Sequence, residues 1–507
     1  MISAFANCFK IPDLRKRILF TLALLAICRI GAAIPLPGVI PMAVKDALEA
    51  AGQSGGGGFL GLYNIFTGGA LENCSTFSLG IMPYISASII LQLLTAVVPS
   101  LQRMIREHEQ GRAKFIQYTR YLTVVLCFIQ GYLMAAGFEH PTSLFPGIPA
   151  DTQIVVDPGW GFRILAVITM TTSTLILMWL GEQITALGVG NGISLIITIG
   201  IVARLPNALY LTWLLYFDPQ AAGGTQRRLN EIEILLMLAV LLLVIAGIIA
   251  VTQAQRKVPV QYAKRMVGRK MTTGGTTYMP LRVNYSGVMP IIFAQAILMF
   301  PAKIFELLYI HFKERGMEIL LLQKLAQMFN ESAVVYMAMY GLLIFFFAYF
   351  WVSTQFQPMQ IAEELKKHGG YIPGIRPGKQ TADFLDKTMT RITFGGAAFL
   401  TIIAVLPIVL AQWLHIPYQT AQFFGGTSML IAVGVMLDTM RQIETHLLTR
   451  HYDGFLRKGK LRGRAGFGAT LAAQGAGPAG SERIWYWIGG GIVVAVAVAW
   501  LVSRYWE

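Results

Sequence analysis

Charge is scarce in this chain. Only 13% of its 507 residues are Asp, Glu, Lys or Arg, against about a quarter in a soluble globular domain. The deficit runs the whole length, and with 55% hydrophobic residues it places the protein in a membrane. Cysteine is rare as well. Cys8, Cys28, Cys74 and Cys127 form no CxxC pair, and Cys28 and Cys127 lie inside apolar runs, so neither a disulfide framework nor a metal site is expected. P-loop, dinucleotide and HExxH fingerprints are missing too, which argues against an intrinsic ATPase or protease and against a cofactor. Acidic residues are the scarcer sign, 26 against 41 Lys and Arg, for a net charge of +15. Such an excess marks cytoplasmic loops in a membrane protein. It either sets topology alone or also meets an anionic partner: RNA, an acidic protein surface or anionic lipid.

A bilayer core takes about 20 apolar residues per helix. Ten stretches qualify: Ile18–Ile34, Phe77–Val98, Gln117–Gly137, Gly161–Leu180, Asn191–Leu211, Ile232–Thr252, Tyr285–Ala302, Ala333–Gln355, Thr393–Trp413 and Gln422–Arg441. An eleventh, Ile484–Val502, comes after a Gly/Ala-rich linker. The first run lacks a convincing small-residue cleavage site after Lys10, Arg15, Lys16 and Arg17, so it is expected to be retained as a helix. Cations cluster at that N-terminus and in the loops after the second, sixth, eighth and tenth runs. Five segments agree, so the N-terminus is expected in the cytoplasm, and the eleventh run would carry the C-terminus outside.

The ten runs divide into two sets of five, and an odd number inverts the second set. Gly/Pro-interrupted helices at matching places in inverted halves point to a working site. The second run reads Gly80-Ile-Met-Pro83-Tyr-Ile85, and its mate reads Gly287-Val-Met-Pro290-Ile-Ile292. The fifth reads Gly192-Ile-Ser194-Leu-Ile-Ile197, and its mate Gly426-Thr-Ser428-Met-Leu-Ile431. The prolines are expected to let the two helices bend. Ile85 with Ile292, and Ile197 with Ile431, would converge near a pseudo-two-fold axis, with Ile81 and Ile193 one turn away on the same faces. Apolar side chains at a narrow waist expel water and leave ions no hydrated path. The cores hold almost no ionisable groups. Arg29 and Arg204 are expected near the outer ends, snorkelling to water, which argues against a proton or sodium relay.

Several runs together resemble the SecY family of protein translocase channels, over nearly all of residues 10–465. They are Tyr371-Ile-Pro-Gly-Ile-Arg-Pro-Gly378 with Thr381 soon after, Gly80-Ile-Met-Pro-Tyr-Ile-Ser-Ala-Ser88, Gly190-Asn-Gly-Ile-Ser194, Val260-Gln-Tyr-Ala-Lys-Arg265 and Phe424-Gly-Gly-Thr-Ser428. The resemblance implies an all-α membrane protein: a ten-helix clamshell of two inverted five-helix halves, with an hourglass pore and a lateral gate toward lipid. It implies a pore ring of Ile81, Ile85, Ile193, Ile197, Ile292 and Ile431. It implies a plug over about Phe59–Leu71, where Phe59, Leu60, Leu62, Ile65 and Phe66 offer apolar contacts and Gly68 and Gly69 permit a sharp turn. The gate would run along the second and seventh helices, with Pro83, Pro290 and Phe300. Gln92 and Gln130 are either polar gate contacts or hydrogen bonds that hold the bundle together.

In similar proteins the cytoplasmic loops dock partners. Arg376, between two prolines, would engage the SecA motor. Arg256, Lys257, Lys264 and Arg265 would meet SecA acidic groups or ribosomal RNA. SecE and SecG are the implied membrane partners, with the ribosome, signal sequences, nascent polypeptides and membrane lipids. The implied setting is a bacterial plasma membrane. The domain boundaries drawn from these runs put one to six within residues 1–252, a basic loop at 253–284, runs seven to ten at 285–441 with a loop at 357–391, a tail and linker at 442–483, and the extra helix at 484–507. That extra helix departs from the family's pattern; it is either an added anchor or a cover for surface that a small subunit occupies elsewhere. A solute transporter would need polar groups at the midplane, which are lacking, and a third reading is an insertase or scaffold without a pore.

Overall fold

The computed structural model describes residues 11–40, 64, 66–107, 109–139, 154–217, 231–262, 265–267, 270–272, 276–314, 320–329, 333–414, 421 and 426–458. The eleventh apolar run and its linker lie outside these residues. Helix α1 spans Pro12–Ala33, with its proline in the first turn, where the missing N–H costs nothing. Then come α2 (Met82–Val97), α3 (Pro99–Glu107), α4 (Glu109–Glu139), α5 (Trp160–Leu187), α6 (Gly192–Phe217) and α7 (Glu231–Gln253). Beyond four short strands lie α8 (Met289–Glu314), α9 (Leu320–Met328), α10 (Val334–Gln355), α11 (Pro358–Lys367), α12 (Lys379–Leu414) and α13 (Thr427–Lys458). Among the described residues, six stretches are helices long and apolar enough to cross a membrane: those within α4, α5, α6 and α7, one from Val334 that takes in α10, and one within α12. Met82–Thr95 and Met289–Leu298 are shorter apolar helices.

The prolines expected to bend helices instead begin them. Pro83 stands in the first turn of α2, and Pro290 is the second residue of α8. Three residues before each proline, a glycine adopts the left-handed backbone that other residues resist: φ is +54° at Gly80 and +65° at Gly287. The chain therefore turns sharply and enters the helix at the proline, whose fixed φ suits the first turn. The tenth run also differs in extent, since α13 continues past Arg441 to Lys458.

The stronger helix pairings fall into two groups. In the first, α2 packs on α4, α4 on α5, α5 on α6, and α1 on both α5 and α6. In the second, α8 packs on α10, α10 on α12, and α7 on α12. The α4–α5 pair is tied at both ends. Arg120 forms a bidentate pair with Glu182 (2.9 and 2.6 Å). Arg163 binds Glu139, whose other carboxylate oxygen accepts the Gly159 N–H at 2.9 Å. A single apolar core draws on both groups.

The segment after α7, read from sequence as a basic loop, contains antiparallel strands β1 (Gln255–Tyr262), β2 (Arg265–Val267), β3 (Lys270–Thr272) and β4 (Thr276–Arg282). Val258 and Val260 alternate inward along β1, so one face is buried. A short strand β5 (Gly370–Tyr371), from the loop after α11, joins the other edge of β1 and gives the order β4-β1-β5. Gln261 stands opposite Tyr371 and Tyr262 opposite Gly370.

Candidate functional site

The six isoleucines all belong to the one core that both helix groups share. Ile81, Ile85, Ile197, Ile292 and Ile431 are buried, and Ile193 is half-buried against the same cluster. They lie at or within two turns of the helix starts. Ile81 precedes α2, and the Ile85 N–H donates to the Ile81 carbonyl at 3.1 Å. In α8 the Ile292 N–H donates to the Val288 carbonyl at 3.4 Å. Ile85 and Ile292 therefore occupy the same position relative to a glycine turn and a proline. At the start of α6 the Asn191 Oδ1 accepts N–H groups from Ile193 (3.1 Å) and Ser194 (3.3 Å), the ordinary work of an N-cap asparagine.

Beside these helix starts lies a cavity of about 700 Å³. Asn191 and Ser194 line it from α6, Asn284, Ser286 and Val288 from the entry to α8, and Leu430 and Gln442 from α13. Gln442 Oε1 also accepts the Gly190 N–H at 3.0 Å, a direct tie between α13 and the turn before α6. The cavity's lining is mixed: Ile248, Phe399 and Leu400 stand beside Arg282, Asp438 and Arg441. Spacing alone did not reveal this lining.

Of the expected plug, Phe59, Leu60, Leu62 and Ile65 lie outside the described residues. Phe66 is buried in the common core, as are Ala70 and Leu71. Asn64 organises the turns from Thr67 to Glu72. Its carbonyl accepts from the Thr67 hydroxyl (3.2 Å) and the Gly69 N–H (3.0 Å), and its Oδ1 accepts the Glu72 N–H at 3.3 Å. Gly68, with φ +66°, packs so tightly that a β-carbon there would come within 2.6 Å of the Gly200 Cα in α6. Arg29 and Arg204 do not snorkel. Arg29 Nη1 donates to the Gly68 carbonyl at 3.0 Å, and Arg204 is buried with its Nη2 at 2.5 Å from Glu72 Oε1. Acceptors on this segment capture both cations before either reaches water. Cys74, buried just beyond, has a strained φ of +39°, and burial pushes its thiol up to about 12.

The expected gate residues have varied surroundings. Pro83 and Pro290 are buried. Gln92 Nε2 bonds to Ser88 Oγ of its own helix at 3.2 Å, and the buried Gln92 and Gln130 carbonyls have no partner among the described residues. Gln295, on α8 one turn beyond Ile292, is in the same condition. Sequence reasoning missed it, although its spacing from Ile292 was a usable signal. Phe300 lies within α8, but its side chain is outside the described set. Arg376 is exposed on a turn set by Gly374 (φ +81°) and Gly378 (φ +107°), and its carbonyl accepts from the Thr381 hydroxyl at 2.9 Å. Arg256 and Lys257 are exposed on β1. Arg265 falls in β2, its side chain undescribed, and Lys264 lies outside the described residues. No cluster of metal-ligating side chains occurs among the described residues.

The family described as SecY matches residues 75–440. The protein translocase subunit SecY of Thermotoga maritima is 42% identical over 467 residues, covering 92% of this chain and all of that one. Among solved structures, a SecY protein whose plug domain is described as stabilising the closed translocation channel superposes with a TM-score of 0.54. It is 18% identical and covers 85% of this chain and 91% of that one. Sec61 in the canine ribosome–channel complex gives a TM-score of 0.50 at 17% identity, with coverage of 85% and 91%. At these identities the structures speak for the fold.

Proposed function

Because this chain belongs to the SecY family of multi-pass membrane translocase subunits, we propose that its six isoleucines form the waist of a gated conduit for unfolded polypeptide. The observation that carries this reading is the shared core: six side chains from the starts of α2, α6, α8 and α13 belong to or pack against one apolar cluster. Two further features support it. The two groups repeat the same packing order, α2–α4–α5 with α1 against α8–α10–α12 with α7, as an inverted repeat would. The cavity beside the starts of α6, α8 and α13, with its mixed polar and apolar lining, suits a chain's approach from one side, and the buried segment 66–72 suits a seal on the other.

The waist expels water when empty and fits around a threaded chain when occupied. An apolar signal helix enters between α2 and α8, where it gains lipid on one face. The stronger pairings lie within each group, and the amide carbonyls of Gln92, Gln130 and Gln295 lack partners among the described residues to hold the seam shut. Energy comes from outside. Arg376 engages the SecA motor, and the basic β1 face meets SecA or ribosomal RNA. SecE and SecG are the membrane partners. The setting is a bacterial plasma membrane with the N-terminus, β1–β5 and the cavity on the cytoplasmic side, where the cations lie.

Photocrosslinkers at Ile85 and Ile292, with a secretory chain stalled in transit, test the reading. Crosslinks from both positions to the same chain are expected. A stalled chain that reaches neither would overturn it.

A further inference from the structure

Two arginines carried on apolar helices face the segment proposed to close the waist. Arg204, on α6, keeps only 8% of its side chain exposed, and its partner Glu72 keeps 32%. Arg29, on α1, donates to the Gly68 carbonyl. Each guanidinium also retains a buried nitrogen with no partner among the described residues, Nε of Arg29 and Nη1 of Arg204. Buried, incompletely satisfied cations cost stability, and the default expectation for such groups within a membrane is function. Both are spent on one segment, and the two contacts bracket it. Between them the segment has almost no slack, because Gly68 meets Gly200 backbone to backbone.

We infer that Glu72, Arg204 and Arg29 form a latch that sets how strong a signal sequence must be to open the conduit. The inference rests on the conduit reading above and adds positioning residues to it. When the segment withdraws, Glu72 leaves with it and Arg204 is stranded without its counter-ion. Removing one partner of a buried pair is far costlier than lacking the pair altogether. The closed state is therefore favoured by a charge term that the apolar waist cannot supply. That term is independent of the apolar contacts made by Phe66 and Leu71. A signal sequence must outweigh both. A passing chain does not replace Glu72 unless it brings an acidic group, so the latch also draws the segment back once the chain has cleared.

The test uses complete translocons reconstituted in vesicles, with Glu72→Arg, Arg204→Glu and the double swap. Each single reversal places like charges together. It should raise export of a precursor with a defective signal about tenfold and speed alkylation of Cys74 in the resting complex. The double swap should return both readouts toward the unmodified values. Unchanged stringency in both single variants, or a swap that restores nothing, would overturn the latch. Should Arg204→Glu fail to accumulate, Glu72→Gln, on the more exposed side of the pair, gives the same reading. Ile292→Asn is measured in parallel. If it relaxes stringency while the latch variants do not, only the latch fails. If neither relaxes it and the stalled chain misses Ile85 and Ile292, the conduit reading fails first.

Discussion

Ile85 and Ile292 each sit two residues past a proline that opens a helix, and each proline sits three past a glycine with positive φ. That geometry fixes where the side chain points before any long-range packing is considered. Replacing Ile292 by Asn puts an amide where only 5% of the residue is exposed, and an unsatisfied buried amide costs about 1–3 kcal/mol. On the proposed ring, the closed state bears that cost and a wet, occupied waist does not. Export of precursors with weak signals should rise by about tenfold at 1.4 kcal/mol; unaltered stringency would contradict the ring. Cys74 gives a second residue-level reading. The thiolate is the reactive form, and a thiol held near 12 should react with maleimide at neutral pH roughly a thousandfold more slowly than a free cysteine. Labelling by mass spectrometry should become fast only once a chain occupies the conduit. Fast labelling of the resting complex would mean that the segment around Cys74 is not seated.

At the scale of elements, long apolar runs made most helices legible, because a bilayer demands them. Pro83 and Pro290 were visible too, but as bends. Their role as helix starts depended on the φ of Gly80 and Gly287, which no spacing reveals. The strands after α7 were hidden because Lys257-Val-Pro-Val-Gln261 alternates only briefly and carries a proline, a weak strand signal. Gln295 was hidden by its apolar neighbours. Arg29 and Arg204 were misread because their acceptors, Gly68 and Glu72, lie far away in sequence. Arg376 belongs to this scale, since its display depends on the whole turn from Ile372, whose carbonyl accepts the Ile375 N–H at 3.1 Å. Arg376→Glu should abolish motor-driven export in vesicles while leaving the amount of membrane-assembled protein unchanged. Full export by that variant would remove the arginine from the docking surface.

For the whole molecule, the decisive pattern is strong packing within two helix groups and lighter packing between them. On the proposed gate, a chain so built parts along the seam before either group comes apart. Cysteines at Gln92 and Gln295, joined by a short bifunctional linker, should block both export and membrane insertion, and a long flexible linker should restore them. Full activity with the short linker would place the opening elsewhere. Two short glycine-containing matches pointed to paired halves, and the packing order of the two groups is in keeping with them. The tie from Gln442 to Gly190, and the sharing of one core, were not legible, because both are agreements between distant stretches that only folding brings together.

The edge shared by β1 and β5 has a mechanical corollary. β1 continues directly from α7, β4 leads into α8, and the Val283 N–H clasps the Ala254 carbonyl at the hairpin's base (3.0 Å). Tyr285, just before α8, stacks edge-on against Phe356 at the end of α10. A body that gripped the arginine turn would therefore pull on β1 and β4 together, and through them on the chain that turns at Gly287 into α8.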